Sequence, residues 1–270
     1  MDIAIITRDD DFSKSIELTL VDKLKKYDFT INNENPKIVI FIGGDGTFLR
    51  AVNRYLPIIN NLKFVGVHTG SLGFFCEFSV DSLDELVDLI AQEKPYQKRY
   101  RLLEACLETE KDKRLFYAVN EIRIENAQHT IITDVYIDQM FFETFRGNGL
   151  LVSSQLGSSG YNKSIGGAII ESGIELLQLS EIALLSNNVY RPLNASLVLR
   201  GNRTVKFTGV AGQTILGFDH LSERIDADKF ELKVRLGDKK VTLIHNEKRP
   251  YLSILNQILI GGKICTKRQS

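Results

Sequence analysis

Residues 38–48 read IVIFIGGDGTF, and the fold expected for the first hundred residues follows from this stretch. Its first five residues are apolar and mostly β-branched, which predicts a buried strand, and Phe48 begins an apolar pattern with helical spacing. The glycines in the turn between them permit a ligand to approach the main chain closely. Such a turn at the end of a parallel strand is typical of the ligand-binding edge of an open α/β sheet. The stretch therefore predicts both a type of sheet and the place of a site.

The same alternation of strand and helix continues on both sides of this turn. Further buried strands are predicted at residues 3–6 and 64–67, and amphipathic helices at residues 13–24, 48–56 and 83–90. Ser82 and Glu85 have the spacing of a capping box at the start of the last helix. Strands that are apolar throughout and alternate with helices are typical of a parallel sheet covered on both faces. Residues 1–100 are therefore expected to form an α/β domain.

Beyond Tyr100 the apolar pattern changes to an alternation with a period of two residues. Strands are predicted at residues 115–124, 131–138, 140–146, 148–153, 181–185, 195–199, 230–237 and 239–245. Many short alternating strands are typical of a sandwich of antiparallel sheets. One helical insertion is expected from about Ser159 to Glu171. Residues 101–250 are therefore predicted to be an all-β domain, a β-sandwich, and the tail at 251–270 is predicted to dock back on the first domain.

Composition and charge exclude several classes of protein. The chain has 270 residues with 34 basic and 34 acidic side chains, so its charge gives no argument for nucleic acid or an anionic membrane as partner. Apolar residues at 43% and charged residues at 25% are ordinary globular values and exclude a disordered chain. The three cysteines form no C-x-x-C pair, which excludes a thiolate zinc site and suits a reducing compartment. No window approaches the ~18 apolar residues of a membrane span, and we expect a cytoplasmic protein.

Asp45 is the charged side chain of the glycine-rich turn, and it stands where open α/β sheets bind their ligands. The helix that follows presents free backbone N–H groups and the positive end of its dipole, which together favour a phosphate group. The turn lacks the Gly-Lys-Ser/Thr sequence of a P-loop. A plainer interpretation is that Asp45 only caps the helix, and a functional carboxylate is the stronger hypothesis.

Three other stretches are candidates for binding. Residues 67–75 form a second glycine-rich turn that ends in two phenylalanines, which offer a face to a planar ring or belong to the core. Asn120 and Glu121 interrupt an apolar strand and suit a ribose diol or an adenine edge, with a solvated strand end as the alternative. Residues 146–164 are rich in glycine, serine and asparagine, as binding loops are. The four histidines lack the spacing of metal ligands, so no protein metal site is expected.

In their order and spacing, these motifs resemble the NAD kinase family. The turn at 43–47 alone is also found in diacylglycerol and sphingosine kinases, and 6-phosphofructokinases have a related turn. NAD kinases combine it with a Gly-x-x-x-Gly-x-Leu-Gly-Phe segment, here 66–74, then an Asn-Glu pair, here Asn120-Glu121, and a serine-rich stretch, here 147–161. The resemblance covers nearly the whole chain and is to the compact bacterial form of the family.

The resemblance implies a Rossmann-like first domain and a β-sandwich second domain that binds NAD and carries the contacts of a homotetramer. It implies transfer of the γ-phosphoryl group of ATP, or of polyphosphate, to the 2′-hydroxyl of the adenosine ribose of NAD. Asp45 would be the general base, or the carboxylate that orients this hydroxyl. Mg²⁺ or another divalent cation would be carried on the phosphates of the donor, which agrees with the lack of a predicted ligand cluster.

Matching the family motifs position by position implies several sets of NAD contacts. The adenosine ribose, the adenine and the centre of the site would be contacted by Asn120, Glu121, Phe74, Ser158, Ser159 and Tyr161. The nicotinamide end would be contacted by Ser164, Ala183, Leu185 and His220. Further NAD-binding residues are expected at Gly44, Gly46, Leu49, Phe75, Arg146, Gly160 and Asn162. Asn148 would reach the site from a neighbouring subunit.

Some positions depart from the family pattern, and two rival functions stay open. Asn148 replaces an aspartate, Gly160 replaces an alanine, and His68 stands where many members have asparagine. Because Asp45 and the Asn-Glu pair are intact, we expect an active kinase, with altered contact between Asn148 and the nicotinamide carboxamide. A lipid kinase shares the glycine-rich turn but gives no reason for the Asn-Glu pair. A non-catalytic nucleotide sensor would bind NAD without turnover.

Overall fold

The computed structural model of the chain describes residues 1–70, 72–92, 95–186 and 192–261. By their internal contacts the described residues form two units, one of residues up to 100 together with residues 240–261, and one of residues between 101 and 239. The first unit contains parallel strands and helices, whereas the second is built mainly from antiparallel strands.

The first unit is built on a parallel sheet. Its elements are β1 (Asp2–Thr7), α1 (Asp11–Leu24), β2 (Thr30–Ile31), β3 (Ile38–Gly43), α2 (Asp45–Arg54), β4 (Lys63–His68), β5 (Phe78–Ser79) and α3 (Leu83–Ile90). The strands pair in parallel in the order β2-β1-β3-β4, and β5 also pairs in parallel with β4. Every residue of β3 is buried, as its continuous apolar sequence predicts.

Helices cover both faces of this sheet. On one face, α1 and α3 contribute Ile16 and Leu86 to an apolar cluster with side chains of β1, β3 and β4. On the other face, the ring of Phe48 from α2 lies 5.1 Å from the ring of Phe41 and 6.0 Å from the ring of Phe64. The predicted α/β architecture is confirmed.

The start of α3 differs from its prediction. Ser82 forms its capping box with Ser79 and not with Glu85, because a 3-10 turn at Val80–Ser82 precedes the helix. The hydroxyl of Ser82 accepts a hydrogen bond from the Ser79 N–H at 2.8 Å and donates to the Ser79 carbonyl at 3.0 Å. Because this hydroxyl is used within the 3-10 turn, it makes no capping bond to α3.

The second unit is built mainly from antiparallel strands. They are β6 (Gln97–Thr109), β7 (Lys113–Ala118), β8 (Glu121–Glu125), β9 (Ile131–Ile137), β10 (Met140–Ser154), β11 (Leu176–Leu184), β12 (Leu197–Arg200), β13 (Val205–Val210), β14 (Ile215–Phe218), β15 (Leu221–Arg224) and β16 (Lys229–Ile244). β10 pairs with β8, β9 and β11, and β13 pairs with β9 and β16. Their inward side chains, such as the fully buried Phe145 and Phe207, form an apolar cluster. The predicted β-sandwich is confirmed.

Several predicted strand boundaries are wrong. The strands predicted at 140–146 and 148–153 are one strand, β10, and those predicted at 230–237 and 239–245 are one strand, β16. The glycines of β10 allow close pairing and make no turn, since a Cβ on Gly149 would lie 2.5 Å from the carbonyl oxygen of Ile124 on β8. The strand predicted at 115–124 is divided into β7 and β8, and the short β13, β14 and β15 have no counterpart among the predicted strands.

The predicted helical insertion at 159–171 is much shorter in the structure. A 3-10 turn at Leu156–Ser159 is followed by α4 (Tyr161–Ser164), which has a single turn. The apolar spacing continues beyond α4, but Gly166 has a φ of 89°, a left-handed conformation that ends a helix.

The C-terminal part of β16 belongs with the first unit. Thr242 and Leu243 pair in parallel with Lys63 and Phe64 of β4, so residues 240–250 group with the α/β unit and not with the β domain, where the sequence places them. A short helix, α5 (Tyr251–Leu255), follows, and its Ile254 is buried. The rest of the predicted docking tail, from residue 262, lies outside the described residues. Among the helices of the described ranges, none has the length and apolar character needed to cross a membrane.

Candidate active site

Asp45 lies where β3 ends and α2 begins, and two backbone amides hold its carboxylate. The N–H of Phe74 donates to Oδ2 at 3.0 Å, and the N–H of Phe75 donates to Oδ1 at 3.1 Å. Burial raises the pKa of Asp45, and the two amides act in the opposite direction. The carboxylate is therefore fixed in orientation and binds a proton more readily than an exposed aspartate does. It is bound to a second loop and does not cap α2, whose N-cap is Gly44.

Three glycines, Gly44, Gly46 and Gly73, leave room around the carboxylate of Asp45. A Cβ on Gly73 would lie 2.2 Å from Oδ1 of Asp45, so the carboxylate occupies the space that a side chain would take. Gly44 and Gly46 have no heavy atom within 4 Å of an added Cβ. Packing within this unit would thus allow a side chain at Gly44 and at Gly46. Because both residues are glycines, the space beside Asp45 stays open.

The apolar residues predicted to bind NAD in the first unit differ in exposure. Leu49 and Phe75 are each 8% exposed, and the ring of Phe75 lies 4.4 Å from the ring of Phe48. These two side chains belong to the core around α2. Phe74 is only half-buried, so its ring keeps a surface for a ligand.

The backbone of Asn120, in the second unit, is held from both sides. The carboxylate of Asp219 accepts hydrogen bonds from the N–H groups of Val119 at 2.8 Å and Asn120 at 2.7 Å. The carbonyl of Asn120 accepts from the N–H of Ser154 at 2.9 Å. Asp219 lies between β14 and β15 with a φ of 50°. The turn between β7 and β8 is therefore rigidly placed, together with the side chains that it carries.

Two oxygens of this turn are buried without a hydrogen-bond partner among the described residues, Oδ1 of Asn120 and Oε2 of Glu121. An unpaired buried polar atom is costly, so these atoms point to a ligand that supplies the missing donors. Burial and the neighbouring charge of Asp219 raise the pKa of Glu121 to about 7, although Arg123 acts against the rise.

Arg123 connects the parts of this region. Its Nε donates to Glu125 at 2.9 Å, and its Nη1 donates to the carbonyl of Asp219 at 3.1 Å. Its guanidinium group lies 5.8 Å from the centre of the Tyr161 ring. Burial raises the pKa of Tyr161, so this phenol is neutral at physiological pH. Tyr161, the Asp219 turn and β8 are thus linked through one side chain.

Two residues predicted to contact NAD from the serine-rich loop are used inside the protein. The buried hydroxyl of Ser158 donates to the carbonyl of Gln155 at 2.7 Å and accepts from the N–H of Ile170 at 3.1 Å. The buried Oδ1 of Asn162 accepts from the hydroxyl of Ser180 at 2.7 Å. Neighbouring residues of the loop keep accessible surface, namely Ser159, Gly160, Tyr161 and Ser164.

Gly157 brings the serine-rich loop against Asn120. A Cβ at position 157 would lie 2.1 Å from the carbonyl oxygen of Asn120, a backbone atom that is already held in place. We therefore expect Gly157→Ala to displace the loop and to lower the free energy of unfolding by about 2–3 kcal/mol, with a Tm lower by about 5–10 °C. Thermal unfolding followed by circular dichroism measures this change.

Gly160→Ala is the matched control, because its added Cβ would come no closer than 3.3 Å to the carbonyl oxygen of Gly157. Its Tm should stay near that of the parent. Equal Tm values for Gly157→Ala and the parent would contradict the inferred contact.

A separate group of predicted residues lies at the other end of β10. Gly147 pairs with Leu184, and the N–H of Leu185 donates to the carbonyl of Arg146 at 2.8 Å. The side chain of Asn148 donates to the carbonyl of Asn126 at 2.9 Å. Ala183 also lies at this end. Along β10, Asn148 is ~17 Å from Ser153, the residue that pairs with Glu121, at about 3.3 Å per residue. The exposed His220, by contrast, follows Asp219 directly and lies with the Asn120–Glu121 group.

The sequence analysis does not identify the residues that hold the site residues in place. Nothing local in the sequence indicates that the carboxylate of Asp219 holds a turn 99 residues away. The contacts of Arg123 and Gly73 cannot be predicted from the residues next to them in the sequence either. Among the residues that the structure describes, no three His, Cys, Asp or Glu side chains come together as metal ligands.

Comparisons with known proteins give one consistent result. Residues 10–95 match the model of the ATP-NAD kinase N-terminal domain, and residues 119–246 match that of the ATP-NAD kinase C-terminal domain. The chain is 34% identical over 267 residues to NAD kinase 1 of Bacillus cereus, covering 97% of this chain and 100% of that protein. It is 40% identical over 201 residues to the NAD kinase of Latilactobacillus sakei, covering 74% of this chain and 75% of that protein.

Two solved structures share the fold. Yeast NADH kinase complexed with NADH has a TM-score of 0.83 at 16% identity, covering 100% of this chain and 90% of that chain. An NAD kinase from Archaeoglobus fulgidus in complex with ATP has a TM-score of 0.74 at 23% identity, covering 92% of this chain and 95% of that chain.

Proposed function

The chain belongs to the NAD kinase family and phosphorylates NAD to NADP, and on this premise we propose that Asp45 acts on the acceptor hydroxyl. The observation that carries this proposal is the carboxylate of Asp45, held by the amides of Phe74 and Phe75 next to the open space at Gly44 and Gly46. A carboxylate in a fixed orientation and with a raised pKa is suited to accept a proton in the transition state.

The reaction requires one proton transfer and one displacement at phosphorus. The 2′-oxygen of the adenosine ribose forms a bond to the γ-phosphorus, and the bond from this phosphorus to the bridging oxygen of the donor breaks. In a loose transition state the hydroxyl loses its proton late, and Asp45 accepts it. The amides of Phe74 and Phe75 keep the carboxylate from rotating, so that no reorganisation is needed at that moment.

Asn120 and Glu121 are proposed to hold the adenosine ribose. The supporting observation is that each has a buried side-chain oxygen without a hydrogen-bond partner among the described residues. Such an oxygen is free to accept a hydrogen bond from a ribose hydroxyl. Tyr161, whose ring carries the guanidinium of Arg123 on one side, is proposed to stack in the centre of the site, and Phe74 to flank the adenine. Ser159, Ser164 and His220 are accessible and keep their proposed contacts.

The donor is proposed to be ATP or polyphosphate, with a divalent cation such as Mg²⁺ on its phosphates. The cation would neutralise charge on the transferring phosphoryl group. The residues around Asp45 fit such a cation. The Asp45 carboxylate already accepts hydrogen bonds from two amides, so most of the oxygen ligands of the cation would come from the phosphates of the donor.

We also propose that the chain forms a homotetramer in the cytoplasm, in which Asn148 reaches the site of a neighbouring copy, and that Arg146, Ala183 and Leu185 contact NAD. The separation of ~17 Å along β10 between Asn148 and the partner of Glu121 supports this assignment. The side-chain bond of Asn148 to Asn126 leaves its Oδ1 as an acceptor for a ligand group.

Formation of NADP from NAD, followed with an NADP-specific dehydrogenase, tests the proposed function. Parallel reactions contain ATP or polyphosphate, each with Mg²⁺ or with EDTA. We expect turnover with ATP that EDTA abolishes. Binding of NAD without turnover under every condition would favour the sensor hypothesis and contradict the assignment of Asp45.

Glu121→Gln is expected to weaken NAD binding in a way that depends on pH. A carboxylate that accepts ribose hydroxyls contributes a charge-assisted hydrogen bond, so we expect a KM for NAD about 10-fold higher at pH 8 in the variant. In the parent, Glu121 gains a proton as the pH falls through about 7, so KM should rise from pH 8 to pH 6. In the variant this part of the pH dependence should disappear.

The same substitution should stabilise the protein at high pH. The pKa of Glu121 rises from 4.5 in the unfolded chain to about 7 in the folded one, so ionisation opposes folding increasingly as the pH rises through that range. Glu121→Gln removes this penalty, and its Tm should exceed that of the parent at pH 8 but not at pH 4.5. A variant with unchanged KM at every pH would contradict the role of Glu121.

A further inference from the structure

The segment that holds Asp45 has a second anchor on its other side. Residues 74–77 begin with the two amides that bind the Asp45 carboxylate and end with Glu77, whose side chain is 5% exposed. Between them, the fully buried Cys76 directs its Sγ to the carbonyl of Gly43 at 3.8 Å. The position of this short segment therefore determines where the Asp45 carboxylate lies.

A turn near the C-terminus binds Glu77. The Glu77 carboxylate accepts hydrogen bonds from Nδ1 of His245 and from the backbone N–H of Asn246. The guanidinium of Arg249 donates to the main-chain carbonyl of Glu77. Nε2 of His245 lies 3.4 Å from the hydroxyl of Tyr100. Side chain and backbone of one residue are thus held by three residues that follow β16.

A buried carboxylate is costly unless it is paired, and here both oxygens of Glu77 have partners. Glu77 is therefore not available to a substrate or a cation, in contrast to Glu121. Its bonds instead fix the end of residues 74–77 against the turn of residues 245–249, while the beginning of the same segment holds Asp45.

We propose that Glu77, His245 and Arg249 are positioning residues for Asp45, which act through the amides of Phe74 and Phe75. This inference rests on the role of Asp45 given under the proposed function. A displacement of ~1 Å at a reacting group costs up to about 100-fold in rate. Loosening the anchor should allow the amides to shift by a fraction of that distance.

Glu77→Gln tests the inference, since it keeps the shape of the side chain and removes its charge. We expect kcat for NADP formation to fall about 10-fold, with the KM for NAD changed less than 2-fold. Arg249→Lys, which removes the planar donor but keeps the charge, should lower kcat in the same direction and by less. Thermal unfolding of each variant shows that the protein is folded during the assay.

Glu85→Gln is the matched control. Glu85 contacts the same turn, through the side chains of Asn246 and Lys248, but it is not part of the segment that holds Asp45. Its kcat should equal that of the parent. A fall in kcat as large as that of Glu77→Gln would mean that the effect does not depend on the bonds of Glu77 to the segment that holds Asp45, and that result would overturn the proposal.

The double variant with Asp45→Asn separates positioning from a merely structural role. If Glu77 acts through Asp45, Glu77→Gln should have little further effect on kcat once Asp45 is replaced. An equal, roughly 10-fold effect in both backgrounds would overturn the inference. If Asp45→Asn alone leaves kcat unchanged, the proposed function fails. If it abolishes turnover while Glu77→Gln is silent, only the positioning role fails.

Discussion

Asp45→Asn is expected to lower kcat for NADP formation about 1000-fold, while the KM for NAD changes less than about 3-fold. The amide cannot accept the proton of the 2′-hydroxyl. It also presents an NH₂ group to the N–H of either Phe74 or Phe75, so one of the two hydrogen bonds that orient the side chain is lost. Steady-state kinetics with ATP and Mg²⁺ measure both parameters.

Asp11→Asn is a chemically matched control, because Asp11 is exposed in the first turn of α1 and the same loss of charge there should leave kcat unchanged. In the parent, kcat should fall on the acid side as Asp45 becomes protonated, and at a higher pH than for an ordinary aspartate, because burial raises its pKa. Equal kcat values for the parent and Asp45→Asn would remove Asp45 from the chemical step.

Gly73→Ala is expected to lower kcat about 100-fold. The added Cβ would lie 2.2 Å from Oδ1 of Asp45, so the carboxylate has to rotate away from the amides that hold it. The backbone at Gly73 does not have the left-handed conformation that excludes alanine, and the nearest contacts of the new methyl group are all atoms of Asp45. The loss should therefore come from displacement of one side chain and not from unfolding.

Kinetics and thermal unfolding of Gly73→Ala together check this interpretation. The Tm should fall less than that of Gly157→Ala, since the atoms that must move at Gly73 belong to one side chain and those at Gly157 to the backbone. In an Asp45→Asn background the substitution should have a much smaller effect on kcat. A Gly73→Ala variant with the kcat of the parent would contradict the close approach of Gly73 to Asp45.

The main elements of the first unit can be predicted because their signals are local. The apolar run at 38–42 specifies a buried strand, and the glycines that follow specify the turn. The predicted helix at 159–171 fails because apolar spacing continues beyond Gly166, whose backbone conformation ends the helix. In β10, the glycines that would mark a turn elsewhere serve close pairing, and this depends on what lies on the neighbouring strand.

The site can be predicted in its residue types but not in its contacts. Asp45 is identifiable from the turn, yet the amides that hold it lie 29 and 30 residues away. The serine-rich loop is identifiable by composition, which does not separate Ser158, whose hydroxyl is used inside the loop, from the accessible Ser159. Asp219 acts on Asn120 across 99 residues of sequence, and such a contact is set by the pairing of strands.

A single-turnover experiment tests the role of Asp45 most directly. Enzyme in excess over NAD is mixed with saturating ATP and Mg²⁺, the reaction is quenched, and NADP is quantified, with NAD binding measured separately by calorimetry. We predict that Asp45→Asn binds NAD as the parent does and converts it at least about 100-fold more slowly. Conversion at the rate of the parent would contradict the account, because the carboxylate would then have no part in the chemical step.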